Sequence, residues 1–120
     1  MAKILVIDDD NVTLMKIKAM LEQAGHDVVE VSDGIYADNA IKEHKPELVI
    51  TDIIMPEQEG IDTVMKVSEK YPDLPVITMS GDQLGMNFLD LSKSLGAHET
   101  LRKPIDKDEL LTTVNNLLGK

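Results

Sequence analysis

The feature that most constrains the fold is a regular alternation between short continuous apolar runs and longer segments with apolar residues at helical spacing. The first run, Ile4–Ile7, stops at Asp8, and an uninterrupted run of this kind predicts a strand buried on both faces of a parallel sheet. From Leu14 onward apolar residues recur every three or four positions, which predicts an amphipathic helix that Gly25 ends.

The same alternation continues and predicts five strands and five helices in all. The later strands are expected at Val28–Val31, Leu48–Thr51, Pro75–Met79 and Thr100–Arg102. The later helices are expected at Ile35–His44, Ile61–Lys70, about Leu84–Leu95, and from Asp106 onward, where Glu109 completes a capping box. Short connections and right-handed crossovers then favour a doubly wound α/β fold with a five-stranded parallel sheet in the order 2-1-3-4-5, the flavodoxin-like arrangement.

Length and charge limit the function classes. The 120 residues suit one domain, so residues 1–120 are expected to form it without an output domain. A net charge of -10 disfavours direct binding to nucleic acid or to an anionic membrane. The sequence shows neither an export signal nor an apolar run of the roughly 20 residues that span a bilayer, so a cytoplasmic location is expected.

The predicted topology brings polar residues together at one edge of the sheet. In open α/β sheets the ligand site lies outside the carboxyl ends of the strands. Asp8, Asp9 and Asp10 follow the first strand, and Asp52 follows the third, which is its neighbour in the predicted order. Ser80 and Lys103 follow the fourth and fifth strands, so a site that combines carboxylates, a hydroxyl and an ammonium is expected there.

This combination of groups suits phosphoryl chemistry. Carboxylates in one cleft repel each other unless a cation joins them, and a hard divalent ion such as Mg²⁺ or Mn²⁺ is the natural occupant. An aspartate can act as a nucleophile toward a phosphoryl group. Lys103 and Ser80 can stabilise the charge on the transferring oxygens.

Some of these residues also have simple structural explanations. Asp10 or Asn11 after a strand is expected to be a helix N-cap rather than a ligand. Because one cap needs only one side chain, Asp8 and Asp9 are expected to be ligands. His26, His44 and His98 lack ligand spacing and are expected at the surface.

The sequence resembles the receiver domains of bacterial response regulators over essentially its whole length. The matching segments are ILVIDDD, SDG, KPELVITDIIMPEQEG, PVITMSG and LRKPI. The combination of TDIIMP with a later KP pair is more specific than any single segment.

The resemblance implies a role for each residue at the sheet edge. Asp52 would be the phosphoacceptor, and the metal would be bound by Asp9, Asp52 and the backbone carbonyl of Ile54, with Asp8 acting largely through water. Lys103, in a cis peptide bond with Pro104, would pair with the phosphoryl oxygens. The phosphoryl donor would be a phosphohistidine on a sensor histidine kinase or a phosphotransfer protein, and an unknown downstream protein would read the result.

Two residues are expected to transmit the signal. Ser80 occupies the hydroxyl position whose side chain turns toward the phosphoryl group in this family. Thr100 stands where such domains usually carry an aromatic switch residue, which predicts that the signal travels mainly through the Ser80 loop and the fourth helix.

Two alternatives remain open at this point, and a third is excluded. A phosphohydrolase of the haloacid dehalogenase type would use Asp8 as its nucleophile, but it leaves Asp52 without a role and expects a longer chain. A pseudo-receiver would bind partners without being phosphorylated. A flavin-binding domain is excluded, because three aspartates would repel the flavin phosphate.

Overall fold

The sheet in the computed structural model has five parallel strands in the order β2-β1-β3-β4-β5, which confirms the predicted topology. The structure describes residues 2–53, 60–81, 93 and 96–119. The strands are β1 (Lys3–Ile7), β2 (Asp27–Val31), β3 (Leu48–Asp52), β4 (Val76–Ser80) and β5 (Glu99–Arg102). The helices of these ranges are α1 (Asn11–Gln23), α2 (Ala37–His44), α3 (Gly60–Lys70) and a C-terminal helix (Lys107–Leu117).

Both faces of the sheet are buried, as the continuous apolar runs predict. In β1, Ile4 and Val6 belong to the core cluster formed with α1 and the C-terminal helix. Leu5 and Ile7 point to the other face and belong to the cluster formed with α2 and α3. All four side chains are fully buried, and each contributes about 1.5–3 kcal/mol by leaving water.

Local signals place most helix ends correctly. The side chain of Asp10 accepts from the amide of Val12 and caps α1, and Asp106 caps the C-terminal helix by accepting from the amide of Glu109. After α1 the chain turns at Gly25, whose φ of 93° lies in the left-handed region that suits glycine. The hydrogen bonds of Asp10 and Asp106 satisfy backbone amides that the start of a helix leaves unpaired.

Several predicted boundaries are corrected. The second helix is preceded by a short 3₁₀ turn, Gly34–Tyr36, because Asp33 accepts from the amide of Ile35 and tightens the chain there. Asp52 and Ser80 are the last residues of β3 and β4 rather than the first residues beyond them. Of the predicted fourth helix, only Lys93 lies among the described residues.

The expectation of a surface position is wrong for His26. Its side chain is buried, and its Nδ1 accepts a hydrogen bond of 3.2 Å from the amide of Ala2. The histidine therefore satisfies a backbone donor at the start of β1, which a sequence pattern does not reveal. In the part of the chain that the structure describes, no helix is long and apolar enough to cross a membrane.

Candidate functional site

The acidic group at the carboxyl edge of the sheet is produced by the pairing of β1 with β3. Ile7 of β1 is in register with Thr51 of β3, so the residues that follow them, Asp8 and Asp52, lie side by side. One carboxylate oxygen from each of Asp8, Asp9 and Asp52 lies within 4.8 Å of the other two. Asp8 is fully buried and Asp52 is 7% exposed, whereas Asp9 faces solvent.

The three consecutive aspartates have different roles. Asp8 accepts from the amide of Asp10 at 2.9 Å, which turns the chain from β1 toward α1. Asp10 faces α1, where it also accepts from the Thr13 hydroxyl at 2.9 Å, and this bond lowers the pKa of its carboxyl. The expectation that Asp10 caps the helix is therefore confirmed.

Lys103 supplies the positive charge of the site. Its Nζ donates to Asp8 Oδ2 at 2.8 Å and lies 3.5 Å from Asp52 Oδ1. The Lys103–Pro104 peptide bond is cis, as the family resemblance implies. The backbone amide of Lys103 donates to the carbonyl of Ser80 at 2.9 Å, which joins the chain after β5 to the end of β4.

The electrostatics of the site make the charged form of Asp52 less favourable than that of an ordinary aspartate. Burial, and then the nearby charge of Asp8, raise the pKa of Asp52 to about 6, even though Lys103 acts in the opposite direction. Burial and Asp8 likewise raise the pKa of Asp9. Burial alone would lower the pKa of Lys103, but its hydrogen bond to Asp8 and the charge of Asp52 raise it, so the ammonium stays charged.

Ser80 lies at the same edge. Asp52 is in register with Met79, so Ser80 stands one residue farther along the neighbouring strand and is buried. Thr100 lies within β5, is half-buried, and is in register with Thr78. The backbone carbonyl expected from Ile54 lies outside the described residues, and so does the segment expected to move with Ser80 apart from Gly81 and Lys93.

One contact of the site was not predicted from the sequence. The amide of Ile53 donates to Asp52 Oδ1 at 3.0 Å, so the carboxylate is held by the backbone that follows it. This bond lowers the pKa of Asp52 in opposition to burial. Aspartate side chains often bond nearby backbone groups where a strand passes into a turn, so the strand boundary is the signal that could have indicated this bond.

Comparison with known proteins decides the family. Residues 4–115 match the family described as response regulator receiver domain. The chain belongs to this family. It is 32% identical to the protein PilH of Pseudomonas aeruginosa over 99% of both chains. A crystal structure of a response regulator receiver domain protein from Clostridium thermocellum superposes with a TM-score of 0.92 at 33% identity, covering 99% of this chain and 95% of that one.

The family to which the chain belongs indicates its general function. As a receiver domain, the chain takes the phosphoacceptor role in two-component signalling, where it acts as a switch. It is also 33% identical, over 98% of its length, to a relative from Bradyrhizobium named as the DNA-binding transcriptional regulator NtrC. The chain spans only 24% of that relative, so the DNA binding in this name is said of the larger protein.

Proposed function

We propose that Asp52 is the residue that accepts the phosphoryl group. The observation that carries this assignment is the different environment of the two buried aspartates. Both oxygens of Asp8 already accept hydrogen bonds, from the amide of Asp10 and from Lys103, and its side chain is fully buried. Asp52 keeps some exposure and lies farther from the ammonium, which leaves it the better nucleophile. The hydrolase alternative, which needs Asp8 as the nucleophile, is therefore disfavoured.

The proposed reaction is a simple displacement at phosphorus. A carboxylate oxygen of Asp52 forms a bond to the phosphorus of a phosphohistidine, and the bond between phosphorus and the imidazole nitrogen breaks. Its electron pair stays on that nitrogen, which then takes a proton from solvent. The product is an acyl phosphate on Asp52, and its later hydrolysis returns the carboxylate and inorganic phosphate. We propose that the domain itself promotes both steps.

The acidic group fits a hard divalent cation. Its ligand atoms are carboxylate oxygens, which Mg²⁺ and Mn²⁺ prefer, and one of the three side chains is open to solvent. We propose that Asp9 and Asp52 bind the ion directly, that Asp8 acts largely through water, and that the Ile54 carbonyl completes the set. When bound, the ion offsets the negative charge of the acids and of the incoming phosphoryl group.

Lys103 and Ser80 are proposed to stabilise the phosphoryl oxygens. The Lys103 ammonium lies close to both Asp8 and Asp52 and remains charged. It can therefore replace one of its contacts with a carboxylate by a hydrogen bond to a phosphoryl oxygen. The Ser80 hydroxyl is proposed to turn toward the same group and to move the loop that follows it. Because Thr100 is not aromatic, the signal is proposed to pass through the loop after Ser80 and the predicted fourth helix. Phosphorylation should therefore shift NMR resonances within residues 82–95.

The proposed donor is a sensor histidine kinase or a phosphotransfer protein. The first two turns of α1 support this choice, because Val12 is 58% exposed and Met15 is 68% exposed just beyond the acidic group. Exposed apolar side chains beside a reactive site favour a protein donor, which buries them on docking. A downstream protein is proposed to read the phosphorylated state.

The test is an intact-mass measurement after incubation with acetyl phosphate and Mg²⁺. We expect a phosphoryl adduct in the wild type that is lost in Asp52→Asn and lost when the metal is chelated. An adduct that persists in Asp52→Asn but is lost in Asp8→Asn would support the hydrolase assignment. The absence of an adduct in the wild type with acetyl phosphate and with a phosphorylated donor protein would support a pseudo-receiver.

A further inference from the structure

Gly81 lies where the Lys103 side chain crosses the sheet. Lys103 follows β5, whereas Asp52 and Asp8 belong to the ends of β3 and β1, so the end of β4 stands between the lysine and both acids. Neighbouring strands are about 4.8 Å apart, and the side chain must pass over β4 to reach them. The bond from the Lys103 amide to the Ser80 carbonyl continues the pairing of β4 with β5 and sets Gly81 beside Lys103.

The Lys103 stem occupies the space that a side chain at position 81 would need. A Cβ atom built on Gly81 would lie 3.3 Å from Lys103 Cβ, 3.5 Å from Cδ and 3.9 Å from Cγ. The shortest of these distances is tighter than ordinary contact, so the lysine would have to move by a few tenths of an ångström. The backbone at Gly81 is not in the left-handed region, so alanine fits it and the lysine stem is what the new atom meets.

We propose that Gly81 is a positioning residue for phosphotransfer: by lacking a side chain, it keeps open the path along which Lys103 reaches Asp8 and Asp52. The proposal rests on the proposed function, in which Lys103 stabilises the phosphoryl oxygens. Any side chain at position 81 shifts the stem and therefore the ammonium at its end. The shift grows with the size of the side chain, so valine should perturb the site more than alanine.

The first measurement is the initial rate of adduct formation with acetyl phosphate and Mg²⁺. Because a misplacement of about 1 Å in a reacting group can cost about 100-fold in rate, a few tenths of an ångström should cost roughly four- to tenfold in Gly81→Ala. The urea midpoint of Gly81→Ala should be no lower than that of the wild type, since alanine restricts the unfolded chain.

Gly119→Ala is the matched control, because the opposite result is expected both for the rate of phosphorylation and for the urea midpoint. A Cβ atom at Gly119 meets nothing within 4 Å, but its φ of 76° strains any other residue. Gly119→Ala should therefore lower the unfolding midpoint and leave the rate of phosphorylation unchanged. The pair of variants separates a loss of stability from a displaced lysine.

The second measurement follows the Lys103 side-chain resonances by NMR without phosphodonor or metal. They should shift in Gly81→Ala and stay in place in Gly119→Ala. An unchanged rate in Gly81→Ala would overturn the proposal, and so would a lower rate with unmoved Lys103 resonances, which would indicate blocked access for the donor. A wild type that forms no adduct with acetyl phosphate or with a phosphorylated donor protein would refute the proposed function instead, and the resonances alone would then decide whether Gly81 positions Lys103.

Discussion

Replacing Asp52 by asparagine should stabilise the protein at neutral pH. Burial and the charge of Asp8 raise the pKa of Asp52 from its ordinary value of 3.8 to about 6, so folding is penalised whenever this carboxylate is charged. One pKa unit corresponds to about 1.4 kcal/mol, and the penalty at neutral pH is therefore about 3 kcal/mol. This figure already includes the favourable effect of Lys103. Asparagine has nearly the same shape and carries no charge, so it should remove most of the penalty.

The sign of the pH dependence follows from proton binding. Between about pH 4 and pH 6 the folded state holds the Asp52 proton and the unfolded state has lost it. The stability that this proton confers is fully present below about pH 4 and is lost as the pH rises through about 6. Since asparagine does not titrate, the advantage of Asp52→Asn in free energy of unfolding should grow by about 2 kcal/mol between about pH 4.5 and about pH 7.5.

Urea denaturation of both proteins at the two pH values, with EDTA present, measures this difference. Asp73→Asn, at an exposed carboxylate on the loop before β4, is the matched control for the substitution itself. Adding Mg²⁺ should narrow the gap at neutral pH, because a cation bound to the folded state stabilises the charged wild type. An advantage of the same size at both pH values, or a variant less stable than the wild type at pH 7.5, would refute the reasoning.

Three further predictions test individual contacts. Lys103→Met removes the cation that opposes burial, so the pKa of Asp52 should rise above about 6 in a carboxyl ¹³C titration, and a fall would contradict the ion pair. Asp10→Ala removes the cap of α1 and should lower the free energy of unfolding in urea by about 1 kcal/mol, whereas an unchanged value would show that the bond to Val12 contributes nothing. Lys45→Gly should raise the unfolding midpoint, because Lys45 ends α2 with a left-handed φ of 51° that costs up to about 1 kcal/mol in a residue other than glycine. A lower midpoint would mean that the lysine side chain outweighs this strain.

Much of the fold could be predicted because its signals are local. The run Ile4–Ile7 indicated a strand covered on both faces, and the spacing of Leu14, Ile17, Leu21 and Ala24 indicated the buried face of α1. The first three are buried, whereas Ala24 is the exposed residue that caps the helix end. These patterns depend on a few adjacent residues, whose periodicity of two or 3.6 determines which side chains share a face. One exception was also local: a hydrogen bond to the side chain of Asp33 tightens the 3₁₀ turn before α2, and no periodicity encodes it.

The site was predictable in its membership. Strand order and the rule for carboxyl edges were sufficient to bring Asp8, Asp9, Asp52, Ser80 and Lys103 to one end of the sheet. Because a helix needs only one N-cap, the sequence predicted that Asp10 or Asn11 would cap α1 and that Asp8 and Asp9 would not, and Asp10 is the cap. The chemical roles of the site residues stay predictions, as do those of Ile54, which lies outside the described residues, and of the fourth helix, of which only Lys93 is described.

The sequence by itself thus determined the five strands, the helices α1, α2 and α3, the C-terminal helix and the set of groups that meet, since these follow from short-range patterns and a small choice of topologies. Only the tertiary structure decided how deeply each of these groups is buried, which of them form ion pairs, and how their pKa values shift. Asp8 and Lys103 are 95 residues apart, and their 2.8 Å contact depends on strand register and on the open path over Gly81. The same packing buries Asp8 completely, leaves Asp52 slightly exposed and raises its pKa to about 6. Such differences arise from distances of an ångström or less, because electrostatic interactions and desolvation change steeply over that range inside a protein.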